Sequence, residues 1–100
     1  MEVFLIKTIS IKDYNGDFGV EWNSNTDGLF FSLDTAKQVV DNNWGDISEM
    51  GSNEYVVILR TSGGVYPIVN EMGWYWWNNQ TKSYQPCDRP EFTDRYCLTL

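Results

Sequence analysis

The stretch from residue 33 to residue 44 has the clearest helical period in this sequence, and it constrains the fold most strongly. At about 100° per residue, five apolar side chains fall in one arc and the polar side chains fall opposite. The arc consists of Leu33, Ala36, Val39, Val40 and Trp44. Ser32 is the expected N-cap, and Asn43 and Gly45 are the expected stop because both tolerate left-handed backbone. A helix this short is marginal alone, so the rest of the chain must bury its apolar arc.

Short segments that alternate between apolar and polar residues, or are rich in β-branched residues, predict a sheet that can bury the apolar arc of the helix. They span residues 2–11, 18–23, 54–61, 65–69, 73–77 and 82–85, with 95–100 as a last edge strand. Turns are expected at 15–16, which reads Asn-Gly, and at 24–28, 62–64 and 78–81, and a loop at 46–53. The sequence therefore predicts one α+β domain over residues 1–100. Its mostly antiparallel sheet has five or six strands, with one amphipathic helix packed across a face.

The carboxylates are unevenly distributed along the chain. The net charge is −7 without any histidine. Residues 13–54 contain nine acids and one base, Lys37, which gives −8, whereas the other residues carry six bases and five acids, which gives +1. A charged face is often only a solvated surface. A face on which acids are concentrated also repels nucleic acids and membranes and attracts basic partners.

Familiar catalytic and metal-binding patterns are absent from the sequence. Without histidine there is no Ser-His-Asp triad, no histidine metal site and no ordinary base for a cysteine nucleophile. The Asp13-x-Asn15-x-Asp17 segment lacks the glycine and the glutamate of a calcium loop, and Ser62-Gly63-Gly64 lacks the Lys-Ser/Thr of a P-loop. Carboxylate-only catalysis and a magnesium site stay formally open, but no spacing of acids requires either. We expect no enzyme activity and no cofactor.

Four aromatic residues follow one another at Trp74, Tyr75, Trp76 and Trp77. On a strand they alternate between the two faces, so one pair can pack beneath the helix. The other pair is either covered by loops or forms an exposed aromatic patch. Such a patch can bind protein or stack against a sugar.

Two cysteines, Cys87 and Cys97, are too few for a disulfide framework, and the first residues do not resemble a secretory signal. We expect free thiols in a reducing cytoplasm, without membrane attachment, and a disulfide between the two cysteines is the alternative.

The preferred hypothesis is a small non-enzymatic protein that inhibits a basic, nucleic-acid-handling partner protein without itself binding nucleic acid. Its carboxylates would stand where phosphates would lie, and a tryptophan would anchor the complex. The candidate partner-binding residues are Asp34, Asp41, Asp46, Glu49, Trp44 and Trp22. A carbohydrate- or small-ligand-binding β module, which would use the exposed tryptophans and tyrosines, is the alternative.

In size, acidity and lack of catalytic residues, the chain resembles a class of small inhibitors that phages make against host enzymes or defence complexes. These include anti-CRISPR and other DNA-mimic proteins. It is also similar to immunity proteins that neutralise nuclease toxins. The resemblance is at the level of class and assigns no residues. It implies a host-cytoplasmic location if the gene is phage-encoded.

Overall fold

The computed structural model describes residues 2–14, 20–62 and 69–90. In this part of the chain, five strands form one sheet in the order β2-β1-β3-β4-β5, with every neighbouring pair antiparallel. The elements in chain order are β1 (Glu2–Tyr14), β2 (Val20–Phe30), α1 (Leu33–Asp41), β3 (Tyr55–Ser62), β4 (Val69–Asn78) and β5 (Ser83–Cys87). The predicted α+β class is confirmed, with most of the regular structure in the sheet.

Two apolar clusters occupy the two faces of the sheet. Alternate residues of β3 divide between them, because successive side chains of a strand point to opposite faces. The helix-side cluster contains Phe4, Ile6, Ala36, Val39, Val40, Ile47, Val56, Ile58, Tyr75 and Tyr84. The opposite cluster contains Leu5, Ile9, Val57, Leu59 and Trp74. Three helix residues thus share one cluster with β1, β3, β4 and β5.

The helix begins as predicted and ends three residues early. The Ser32 hydroxyl accepts a hydrogen bond from the Thr35 amide at 3.4 Å. At the other end, Asn43 has a left-handed φ of 48°, and its amide donates to the carbonyl of Val40. The Trp44 amide donates to the carbonyl of Val39, which completes a Schellman motif. Trp44 therefore lies beyond the helix and 51% exposed, so the prediction that it belongs to the buried arc is wrong.

The predicted turn at 24–28 is also wrong, because β2 continues through it to Phe30. Ile6 pairs with Gly28 and Lys7 pairs with Thr26, so Asp27 is the extra residue of a β-bulge. The polar side chains that suggested a turn instead make contacts across the strands. The Thr8 hydroxyl donates to the Asp27 carboxylate, and Lys7 Nζ donates to Thr26 Oγ1 at 3.0 Å.

The aromatic run belongs to one longer strand, β4, which already begins at Val69. Trp74 belongs to the opposite cluster, whereas Tyr75 belongs to the helix-side cluster and Trp77 packs against it. The predicted hairpin at 15–16, the turn at 63–64, most of the strand at 65–69 and the strand at 95–100 lie outside the described residues. The calcium-like segment also falls largely outside them.

Candidate partner-binding surface

The two helix carboxylates of the candidate set lie at the two ends of α1. Asp34 is exposed in the first turn, where the helix dipole favours a negative charge. Asp41 is the exposed last residue of the helix. Burial raises the pKa of the Tyr75 phenol, and the charge of Asp41 raises it further. Asp41 therefore lies within electrostatic reach of the helix-side cluster.

Residues 42–54, which we call the helix-exit loop, contain an unusual run of left-handed backbone. Four residues other than glycine have a positive φ: Asn43 at 48°, Asp46 at 52°, Glu49 at 48° and Met50 at 59°. Such conformations persist only where the surrounding contacts hold them. The loop therefore has a specific conformation that local hydrogen bonds must maintain.

The Asp46 carboxylate provides much of that support. Its Oδ1 accepts from the Ser48 hydroxyl at 3.0 Å, the Met50 amide at 3.4 Å and the Asn43 side-chain amide at 3.3 Å. The hydrogen bond from Ser48 is the largest cause of a lowered Asp46 pKa, and those from Met50 and Asn43 lower the pKa further. Because one oxygen is committed to the loop, Asp46 has a structural role beside any role in binding.

A second set of contacts ties the helix-exit loop to the sheet. The buried Asn53 donates from Nδ2 to the carbonyl of Ile47 at 2.7 Å. The Tyr84 hydroxyl on β5 donates to the Asn53 carbonyl at 2.6 Å. The Trp77 amide on β4 donates to the Glu54 carbonyl at 2.8 Å. The loop is thus fixed to two strands.

The charges of three carboxylates act on the Tyr84 phenol. Burial is the main cause of the raised pKa of its phenol, and the charges of Asp27, Asp46 and Glu49 raise it further. These acids come from β2 and from the helix-exit loop, so the tertiary structure brings together residues that are well separated in sequence. Asp27 was not among the predicted site residues.

The described cations leave the predicted carboxylates without ion pairs. Arg60 pairs with Glu2 at 3.7 Å, and Arg89 pairs with Glu71 at 2.9 Å. Both of these acids come from outside the acidic segment. In the described part of the chain, no lysine or arginine forms an ion pair with the predicted carboxylates. Those carboxylates are Asp34, Asp41, Asp46 and Glu49.

The two predicted tryptophan anchors lie in different places. Trp44 is 51% exposed at the start of the helix-exit loop, close in sequence to Asp41 and Asp46. Trp22 lies on the other side of the sheet, where it packs against the opposite cluster. Trp44 is thus exposed and close to these carboxylates in the chain, whereas the structure places Trp22 on the face of the sheet away from the helix. Met50, 93% exposed in the same loop, is an apolar side chain that sequence analysis did not include among the candidate residues.

A groove lies where the helix-exit loop meets the ends of β3 and β4. One part has a volume of about 400 Å³ and is bordered by Met50, Gly51, Glu54, Tyr55, Trp76, Trp77 and Asn79. An adjoining part of about 350 Å³ shares Met50, Trp77 and Asn79 and adds Asn43, Asp46, Ser48 and Lys82. Sequence analysis did not locate this groove. The alternation of the aromatic run was the available signal, since it left one of the two aromatic pairs to be covered by loops or exposed.

Cys87 is a free thiol that packs against the opposite cluster, and burial followed by the charge of Asp88 raises its thiol pKa. The other cysteine, Cys97, lies outside the described residues, so the prediction of a free thiol is not tested there. Within residues 2–14, 20–62 and 69–90, no three histidine, cysteine or acidic side chains are grouped so that they could hold a metal ion. No helix in those ranges is long and apolar enough to cross a membrane.

No protein-family model, curated protein or solved structure matches this chain.

Proposed function

We propose that this protein is a small, acidic, non-enzymatic inhibitor that binds a basic, nucleic-acid-handling partner in the cytoplasm and blocks the partner's cationic groove. Its helix covers one face of the sheet and leads directly into the binding surface. That surface is the exposed side of the helix together with the helix-exit loop. Carboxylates there stand where the partner would otherwise meet phosphates.

The observation that carries this proposal is the helix-exit loop. Trp44 and Met50 are exposed in this loop, the loop also carries the exposed Asp46 and Glu49, and the exposed Asp41 directly precedes it in the chain. Large exposed apolar side chains surrounded by charge are typical of protein-binding sites. The loop is also held by internal hydrogen bonds, so that little conformational entropy is lost when a partner binds.

Charge complementarity supports the proposed class of partner. Carboxylates without a described counter-ion attract lysine- and arginine-rich surfaces, and the attraction accelerates association at low salt. Nucleic-acid-binding proteins present such surfaces because they must neutralise phosphates. The same field disfavours direct nucleic-acid binding by this chain.

The experiment begins with capture of partners from a lysate of the cells that express the gene, at about 50 mM salt, and release at about 500 mM salt. The released partner is purified, and its binding to this protein and to nucleic acid is measured. We expect a basic protein whose nucleic-acid binding is blocked competitively. A partner that binds nucleic acid equally well in the complex would refute the proposal.

A matched pair of double variants tests the surface itself. Asp41→Asn with Glu49→Gln removes two charges from the proposed surface, whereas Glu2→Gln with Asp88→Asn removes two elsewhere. Each lost exposed ion pair is worth about 1.5- to 5-fold in affinity, so the first variant should weaken binding by about 2- to 25-fold. The control should bind like the wild type. Equal affinity of the two variants would show that the partner binds at another surface.

A further inference from the structure

The groove between the helix-exit loop and the ends of β3 and β4 has an exposed tryptophan at its border. Trp76 is 41% exposed although tryptophan is the largest type of side chain. Its register partners are Tyr55 on β3 and Gln85 on β5, so a phenol and a side-chain amide lie beside the indole on the same face of the sheet. An aromatic surface with a neutral polar neighbour is thus available to a ligand.

The floor of this groove is preformed. Gly51 has a φ of 93°, and a Cβ at this position would lie 3.0 Å from Trp77 Nε1. The indole of Trp77 packs edge-to-face on Tyr84, with ring centroids 5.0 Å apart and an interplanar angle of 68°. Close contacts therefore fix the floor, so that little conformational entropy of the protein is lost when a ligand binds above it. The exposed, unbranched Met50 at the rim can adapt to an occupant.

An oriented amide group lies at the border of both parts of the groove. Asn79 Oδ1 accepts a hydrogen bond from Lys82 Nζ at 2.7 Å, which fixes the direction of the amide. Asn79 Nδ2 makes no hydrogen bond within the described part of the chain. In the adjoining part, Asp46 Oδ1 is already engaged by donors of the helix-exit loop. A ligand at this border therefore meets an aromatic face together with neutral N–H donors.

We propose that this groove binds a neutral pyranose ring of the glucose type, which stacks on Trp76 and accepts a hydrogen bond from Asn79 Nδ2. The hydroxyls of such a ring are equatorial, so both of its faces consist of C–H bonds, which suit the electron-rich face of an indole. A hydroxyl both donates and accepts, so it matches an amide. This activity goes beyond the proposed inhibitor function and does not depend on it.

Size and charge also favour a neutral sugar. The aromatic part of the groove has a volume of about 400 Å³, and sites for small molecules have about 300–1,000 Å³. A nucleobase could stack on the same indole, but nucleotides carry phosphates, which the net charge of −7 repels. An uncharged sugar is not repelled. A purely apolar ring would gain nothing from the amide of Asn79.

The test titrates cellobiose, a neutral disaccharide of two such rings, into the full chain and follows the indole N–H signals by NMR. Trp76→Leu identifies the Trp76 signal by its loss. We expect a saturable shift of that signal with cellobiose, and weaker binding of adenosine, which is neutral and offers a planar base. The inference is overturned if cellobiose produces no saturable shift or if adenosine binds more tightly.

Matched variants locate the site, with affinities measured by ligand-observed NMR. Trp76→Leu should weaken cellobiose binding by about fivefold or more through loss of the aromatic contact. Phe31→Leu changes an aromatic side chain that is 70% exposed outside the groove and should leave the affinity unchanged. Dispersed amide signals show whether each variant is folded.

A second pair keeps the test decisive if Trp76→Leu does not fold, because both of its changes lie in an exposed turn. Asn79→Ala should weaken cellobiose binding by about two- to tenfold, as expected for one lost hydrogen bond. Gln80→Ala removes the neighbouring exposed amide, which does not border the groove, and should have no effect. Equal affinities of Asn79→Ala and Gln80→Ala would show that the sugar binds elsewhere.

Discussion

The hydrogen bond between Tyr84 and Asn53 offers the sharpest test of how the helix-exit loop is held. Tyr84 is 3% exposed and Asn53 is also 3% exposed, and the hydroxyl lies 2.6 Å from the Asn53 carbonyl oxygen. Tyr84→Phe removes the donor and retains the ring. The Asn53 carbonyl then stays buried without this partner, which costs about 1–3 kcal/mol.

The assay is urea unfolding followed by tryptophan fluorescence. The free energy of unfolding should fall by about 1–3 kcal/mol, and the melting temperature by about 4–8 °C for each kcal/mol. The m-value, which is the slope of the unfolding free energy against urea concentration, should stay the same because the variant exposes the same surface on unfolding.

Tyr75→Phe is the matched control. Tyr75 is 7% exposed and belongs to the same helix-side cluster, but its hydroxyl makes no hydrogen bond to a described residue. Its removal should cost less than about 0.5 kcal/mol. If both variants lose the same stability, the Tyr84 bond does not anchor the loop and the reasoning is refuted.

Three further predictions concern the same region. The raised pKa of Tyr84 means that the folded state favours the neutral phenol, so its contribution to stability is complete below the ordinary value of 10.0 and is lost at higher pH. Unfolding titrations above that pH should show a steeper loss for the wild type than for Tyr84→Phe, and parallel curves would contradict this. Gly51→Ala should cost about 1–3 kcal/mol in thermal unfolding. Gly45→Ala should cost less, because it shares the positive φ but would contact nothing within 4 Å, and the reverse order would be inconsistent with the close approach of Gly51 to Trp77. Asp46→Asn should accelerate hydrogen exchange at the Met50 amide, which now donates to the carboxylate, and unchanged exchange would count against that bond.

The start and end signals of the helix were readable because they act over a few residues. Ser32 caps the first turn through a bond to Thr35, and Asn43 adopts the left-handed backbone that its side chain favours. The precise end was misjudged because the apolar period continued to Trp44. The Schellman bonds reverse the chain before that residue can join the apolar arc.

The polar segment at 24–28 shows the opposite case. Its composition is typical of a turn, yet pairing with the long strand β1 holds it in the sheet. The extra residue Asp27 is accommodated as a bulge, where its carboxylate accepts from Thr8. Hydrogen bonds to the neighbouring strand determine the conformation of this segment. They cannot be predicted from the local sequence pattern, because the partner residues lie elsewhere in the chain.

In the candidate site, too, some features could be predicted from the sequence and others only seen in the structure. Sequence analysis chose Asp46 for its charge, whereas the structure shows that one of its oxygens holds the loop. It chose Trp22 as a possible anchor, whereas Trp22 packs behind the sheet. The groove beside Trp76 was not located because its lining comes from the loop, from β3 and from β4.

The amino-acid sequence alone determined the segregated negative charge, the absence of histidine chemistry, the helix start and the alternation of the aromatic strand. These properties depend on composition or on neighbours within one turn or one pleat. Only the tertiary structure decided which tryptophans meet solvent, which carboxylates act electrostatically on Tyr84 and where a groove opens. Exposure and proximity depend on contacts between residues far apart in the chain, and those contacts exist only once the strands have paired and the loop has closed against them.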